Sequence, residues 1–139
     1  MVYQATKQIA AAMDEKKLNY RIEESDNASM LLAKLAGKNA KDLIIRFISA
    51  GEGNDVFIRI FAIADGSKGD KNKIYALLNK LNADFRYICF YMAENGEINA
   101  SYDIPLSVNT DLGPACLEIL MRLWNIIDES YPAILAAVL

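Results

Sequence analysis

The residues that could do chemistry are few, and their types and spacing do not form a catalytic set. The chain has no histidine, which removes Ser/His and Cys/His nucleophile pairs, histidine-ligated zinc and histidine acid–base catalysis. Its two cysteines, Cys89 and Cys116, lie too far apart in sequence for a CxxC redox pair or a zinc ribbon. We expect each cysteine to be packed as a small apolar side chain.

Carboxylates and glycine-containing loops give no better candidate. Glu94 and Glu97 flank an Asn-Gly turn, where solvation leaves no reason for shifted pKa values, so we interpret them as structural. The loop 65–70, Asp-Gly-Ser-Lys-Gly-Asp, lacks the GxxxxGK[ST] spacing of a phosphate-binding loop and is predicted to connect a strand to a helix. The sequence therefore predicts no catalytic residue, no metal site and no cofactor, and we expect the protein not to be an enzyme.

Two arginines interrupt two otherwise apolar segments, 43–48 and 56–63. Both segments are rich in β-branched and aromatic residues and are joined by a loop with two glycines, which predicts an antiparallel hairpin. Arg46 and Arg59 could receive an acidic segment or a carboxylate ligand, but we favour ordinary solubilising positions on the sheet. A sheet face interrupted only by arginine is nevertheless rarely left fully in water.

Length and composition restrict the class of protein. A chain of 139 residues with 53% hydrophobic and 24% charged residues is expected to form one globular domain, 1–139. A net charge of −3 with a sequence pI of about 5.0 argues against nucleic-acid partners. We find neither an apolar run long enough to span a bilayer nor a signal-peptide pattern, so we expect a cytoplasmic protein with no membrane partner.

Hydrophobic periodicity predicts a mixed order of helices and strands. Segment 30–36 suits a short helix by residue preference, but we favour a strand because a hairpin fits the short connections on either side. Asp70 is the expected N-cap of a helix over 70–82. The prediction is an α+β fold with an antiparallel sheet of five or six strands packed against helices, in the order α-β-β-β-(β)-α-β-β-α.

The second hairpin has the clearest turn signal. Asn95-Gly96 is the dipeptide typical of a two-residue type I′ turn. The return strand alternates regularly, which predicts one buried and one solvated face. The inward set is Ile98, Ala100, Tyr102 and Ile104, and the outward set is Glu97, Asn99, Ser101 and Asp103.

The last helix, predicted from 111 or 112 to 130, carries more apolar surface than one packed face requires. Its polar residues form a single narrow stripe, so we expect it to be covered on two sides. The extra apolar face is interpreted as a partner or dimer surface, the alternative being a larger core that covers both sides. The apolar tail 133–139 is expected to dock on the chain's own core or on a dimer mate. The candidate interaction residues are Leu117, Met121, Trp124, Leu135 and Leu139.

A family resemblance rests on the stretch 77–105, LLNKLNADFRYICFYMAENGEINASYDIP, and on the helix that ends in Tyr131-Pro132. Asn-x-x-Asn on a helix, an aromatic strand and a terminal Tyr-Pro together resemble the YbjN-like proteins, bacterial sensory-transduction regulators with the fold of type III secretion chaperones. The resemblance implies a small acidic α+β protein that dimerises and binds other proteins. It implies no catalytic residue.

Two hypotheses of function follow. The first is a non-catalytic homodimer that binds a segment of another, unidentified protein along a sheet edge or in an apolar groove. The second is a small-molecule-binding regulatory domain with a pocket between the sheet and the last helix, lined by Tyr87, Tyr91 and Tyr102.

Overall fold

A computed structural model describes residues 1–51, 55–103 and 111–139. The described residues form three helices and six strands. In chain order these are α1 (Gln4–Glu15), β1 (Arg21–Glu24), β2 (Ser29–Ala36), β3 (Lys41–Ser49), β4 (Val56–Asp65), α2 (Lys71–Asp84), β5 (Ile88–Met92), β6 (Glu97–Tyr102) and α3 (Leu112–Val138). This order confirms the α+β prediction and its element sequence.

The six strands form one sheet in the order β1-β2-β3-β4-β6-β5, and each neighbouring pair is antiparallel. Segment 30–36, whose residue preferences suit a helix, lies within β2. Alternate β2 side chains, Leu31, Ala33 and Leu35, are almost fully buried. The free energy gained by this burial exceeds the small difference in helix propensity, so tertiary packing decides the conformation.

The three helices cover one face of the sheet. Helix α3 contacts both α1 and α2, while α1 contacts β2 and β3, and α2 contacts β5. Strand side chains that point towards this layer belong to a continuous hydrophobic core. On the two central strands of that core they are Leu43, Ile45, Phe47, Val56, Ile58, Ile60 and Ile63. No helix of the described chain covers the opposite face.

Helix α3 is longer than predicted and continues through Pro132 to Val138. A proline inside a helix removes one backbone hydrogen bond, which is why the sequence suggests an end near residue 130. Beyond the proline, Ile134 and Ala137 are 1% and 5% exposed, so burial sustains the helix. The tail 133–139 therefore docks on the chain's own core, which is one of the two positions expected from the sequence.

The β5–β6 turn is not the predicted type I′ turn. That turn needs a positive φ at both central residues, but only Gly96 has one, at +90°. Ala93 N–H donates to the Glu97 carbonyl at 2.8 Å, and Gly96 N–H donates to the Ala93 carbonyl at 2.8 Å. The loop thus has three residues, and the Gly96 carbonyl accepts a 2.7 Å hydrogen bond from Gly66.

The exposure of two side chains on the sheet differs from the prediction. Asn99 lies on the outward side of β6, opposite Tyr91, as predicted, but it is only 4% exposed. Its Oδ1 accepts a 2.8 Å hydrogen bond from Ala62 N–H, where the β4–β6 register shifts between Ile60 and Ala64. Cys89 is exposed, opposite Ser101 on the uncovered face, whereas Cys116 is buried as predicted. Burial raises the pKa of the Cys116 thiol to about 12.

Hydrogen bonds to Asp128 connect α3 to the turn between β2 and β3. Its Oδ1 accepts hydrogen bonds from Ala40 N–H at 2.8 Å and from Asn39 N–H at 2.6 Å. The Asn39 side chain in turn donates to the Asp128 carbonyl at 3.1 Å. A Cβ on Gly37 would collide with the Asp128 carboxylate. The hydrogen bonds from Ala40 and then Asn39 lower the pKa of Asp128.

This contact gives a pH-dependent prediction. Because the pKa of Asp128 is lowered in the folded state, its contribution to stability is present above the unfolded carboxyl pKa, about 3.9, and is lost as pH falls through the folded value. We expect Asp128→Asn to lower the Tm by a few degrees at pH 7 and by less at pH 3. Glu129→Gln, at an exposed neighbouring position, is the control for thermal melts followed by circular dichroism. A deficit of the same size at both pH values would contradict the assignment.

Candidate interaction surfaces

The uncovered side of the sheet presents a mostly apolar surface, which we call the outer sheet face. It is built from alternate residues of β2, β3 and β4, whose register places Met30 beside Ile48, and Ile48 beside Phe57. Its members are Met30, Leu32, Ile44, Arg46, Ile48, Phe57, Arg59 and Phe61.

Several of these apolar side chains are in contact with solvent. Phe57 is 46% exposed and Phe61 is 37% exposed. Met30, Ile44 and Ile48 are half-buried. Contiguous exposed apolar surface is unfavourable in water and commonly marks an interaction site. The signal for this surface is present in the sequence, in two neighbouring strands that are apolar on both faces.

Arg46 and Arg59 lie directly opposite each other at the centre of this face. Their guanidinium groups point to different aromatic rings: Arg46 Cζ is 5.5 Å from the centroid of Phe61, and Arg59 Cζ is 5.7 Å from that of Phe57. Attraction between each cation and the face of its ring offsets the repulsion expected between two like charges in a cross-strand pair. The two arginines and two phenylalanines therefore form one cluster.

The two arginines differ in their carboxylate partners. Arg59 Nη1 donates to both Asp103 oxygens, at 2.7 and 2.9 Å, and Asp103 also accepts a 3.3 Å hydrogen bond from Ile58 N–H. Within residues 1–51, 55–103 and 111–139, no carboxylate forms a salt bridge with Arg46. The described part of the chain thus leaves one positive charge of this cluster without an ion-pair partner.

Both edges of the sheet have features that oppose pairing with another strand. At the β5 edge, the Asn82 side chain donates to the Phe90 carbonyl at 3.1 Å and accepts from Phe90 N–H at 2.7 Å. The Asn82 amide therefore occupies the place that a neighbouring peptide group would take. At the other edge, β1 has four residues, three of them charged and exposed (Arg21, Glu23 and Glu24). Short, charged edges resist strand addition.

The predicted α3 residues share one stripe of that helix, because their spacing is close to whole turns of 3.6 residues. Met121, Leu135 and Leu139 are 51%, 40% and 94% exposed. Leu117 and Trp124 are half-buried and packed against the core. Asp128 lies on the same stripe, so the β2–β3 turn bonded to it separates the group Leu117, Met121 and Trp124 from the pair Leu135 and Leu139.

The pocket predicted for a small molecule is only partly assembled. Tyr87 and Tyr102 meet edge to face, with ring centroids 6.0 Å apart, in an open groove next to Glu118 and Arg122 of α3. Burial raises the pKa of Tyr102. Tyr91 pairs with Asn99 on the uncovered face of the sheet and therefore does not line this groove.

Within residues 1–51, 55–103 and 111–139, no three His, Cys, Asp or Glu residues come together as a metal-binding group. No helix of the described chain has the length and hydropathy to cross a membrane.

A family model described as "putative bacterial sensory transduction regulator" matches residues 6–135, nearly the whole chain. The chain belongs to the YbjN family. The match confirms the resemblance to YbjN-like proteins seen in the sequence, which is sharpest over residues 77–132. A search of curated proteins found no match. In this YbjN-family chain, Asn82 is the second asparagine of the Asn-x-x-Asn pattern, whose role at the β5 edge the sequence did not reveal.

The role of Asn82 gives a second prediction. We expect Asn82→Ala to lower the free energy of unfolding by about 1 kcal/mol, because two hydrogen bonds to the backbone of Phe90 are lost. We also expect faster aggregation, since the β5 edge becomes available for pairing. Urea denaturation and light scattering during incubation measure the two effects. Asn79→Ala, one turn earlier on α2 and exposed, is the control, and equal effects of the two variants would refute the edge assignment.

Proposed function

We propose that this YbjN-family protein is a non-catalytic interaction module that acts as a homodimer and binds a segment of another protein on its outer sheet face. The observation that carries the proposal is the exposure of Phe57 and Phe61, 46% and 37%, on the mostly apolar outer sheet face. Maintaining such a surface in water has a free-energy cost that a partner would remove. The family description as a regulator is consistent with a role in binding.

The two sheet edges are poor sites for the proposed segment. Asn82 already occupies the backbone groups of Phe90 at one edge, and β1 presents charged side chains at the other. Strand addition needs free backbone donors and acceptors along an edge. The outer sheet face offers side-chain contacts instead, so we favour it over the edges.

The proposed homodimer uses the exposed stripe of α3. Met121 and Leu135 project apolar side chains from this helix, and each is at least 40% exposed. Leu117 lines a shallow groove with Leu18 beside Met121, which would accept an apolar side chain from a second copy. The resemblance to YbjN-like proteins implies dimerisation, and this supports a homodimer.

Molar mass measured by multi-angle light scattering tests this arrangement. We expect the wild type to be a dimer and the double variant Met121→Glu, Leu135→Glu to be a folded monomer, because two carboxylates would be buried unpaired at the interface. Phe57→Glu should remain a dimer, since it alters only the outer sheet face. Glu129→Gln, at an exposed position of α3 that does not line this groove, is the control.

Either of two outcomes would contradict the proposal. A wild-type monomer at every protein concentration tested would exclude the homodimer. Conversion of Phe57→Glu to a monomer would instead assign the outer sheet face to self-association, and that face would no longer be available for a segment of another protein. Far-ultraviolet circular dichroism establishes that each variant is folded.

A further inference from the structure

We infer that the segment bound by the outer sheet face is acidic as well as apolar, and that Arg46 binds its carboxylate. This inference rests on the proposed function and specifies the chemistry of the partner. It depends on three features of the face: the position of Arg46, the internal pairing of Arg59, and the spacing of the two phenylalanines.

Arg46 lies in the interior of the face. Its cross-strand neighbours are Leu32 on β2 and Arg59 on β4, and Ile44 and Ile48 precede and follow it on the same side of β3. The side chain is half-buried. A partner that covered this position would remove water from the guanidinium group and would have to supply an acceptor in its place. A carboxylate is the acceptor that best matches the geometry and charge of arginine.

The same face already contains a carboxylate bound in this way. Asp103 accepts from Arg59 at 2.7 and 2.9 Å, and the Arg59 side chain is only 23% exposed. Arg46, directly opposite, is stacked on Phe61 and forms no salt bridge within the described part of the chain. The face is therefore locally positive in a chain whose net charge is −3, and this sign favours an acidic partner.

A second copy of the chain is a poorer occupant. In a two-fold interface the same patch contacts itself, so Arg46 and Arg59 of one copy would approach the same arginines of the other. Four guanidinium groups would then share an apolar interface, and the salt bridges of the described part of the chain provide these groups with one carboxylate from each copy, Asp103. Like charges brought together in this way oppose association.

The spacing of the aromatic rings adds a pattern for the segment. Phe57 and Phe61 are four residues apart on β4, which corresponds to about 13 Å at the rise of a strand, and the arginine pair lies between them. An extended segment laid along this strand would place apolar side chains on the two rings and a carboxylate between them. The expected pattern is an acidic residue with an apolar residue two positions before it and another two positions after it.

Three fluorescein-labelled peptides test the inference by fluorescence polarisation. Each peptide carries leucine two positions before and after a central residue, which is glutamate, glutamine or lysine. We expect the wild type to bind the glutamate peptide at least about tenfold more tightly than the glutamine peptide, and the lysine peptide most weakly. Arg46→Gln should abolish the difference between the first two peptides, and Arg46→Lys should retain part of it because the charge remains.

Arg122→Gln, at an exposed position on α3, is the matched control and should bind all three peptides as the wild type does. Equal affinity of the wild type for the glutamate and glutamine peptides, or an unchanged preference in folded Arg46→Gln, would overturn the inference while leaving segment binding by the face intact. Failure of all three peptides to bind would overturn both the inference and the proposed binding of a segment. Loss of binding in Arg122→Gln would also overturn it, because the site would then include α3.

Discussion

The one-sided coverage of the sheet determines the rest of this structure. The 27-residue helix α3 lies in the same layer as α1 and α2, and this layer buries the inner side chains of the sheet in one hydrophobic core. All three described helices therefore lie on the same side of the sheet. The two strongly apolar central strands, β3 and β4, consequently bury one set of side chains in the core and present the other, including Phe57 and Phe61, to solvent.

Polar side chains hold this arrangement by satisfying backbone groups where regular structure is interrupted. Asp128 accepts from the turn between β2 and β3, Asn82 occupies the free edge of β5, and Asn99 bonds the irregular part of β4. A buried or edge backbone group without a partner is costly, so each contact has a structural reason independent of catalysis. The edge contact also bears on the proposed function, because an edge whose backbone groups are already bonded is a poor site for strand addition.

The sequence predicts the class, the order of elements and the hairpin partners because these depend on local patterns, such as the β-branched and aromatic runs of β3 and β4 and the regular alternation of β6. It does not predict the burial of Asn99 or the end of α3, since both depend on contacts between residues distant in the chain. The Asn95-Gly96 dipeptide is a local signal for a type I′ turn. The turn that forms instead has three residues, and its Gly96 carbonyl accepts a hydrogen bond from Gly66, which is distant in the chain. The sequence indicates the outer sheet face only through two strands that are apolar on both sides. The candidate residues on α3 share one stripe, as their spacing predicts, but the contact of Asp128 with the β2–β3 turn divides that stripe in two.

If the outer sheet face serves a partner and not folding, its aromatic side chains can be replaced with little loss of stability, and a pair of matched substitutions measures this. Phe47 and Phe57 lie on neighbouring central strands, but Phe47 is 0% exposed in the core and Phe57 is 46% exposed on the outer face. In urea denaturation, we expect Phe47→Ser to lower the free energy of unfolding by about 3–5 kcal/mol and Phe57→Ser to lower it by about 1 kcal/mol or less. Equal losses would show that the outer face is needed for the fold and would contradict the account.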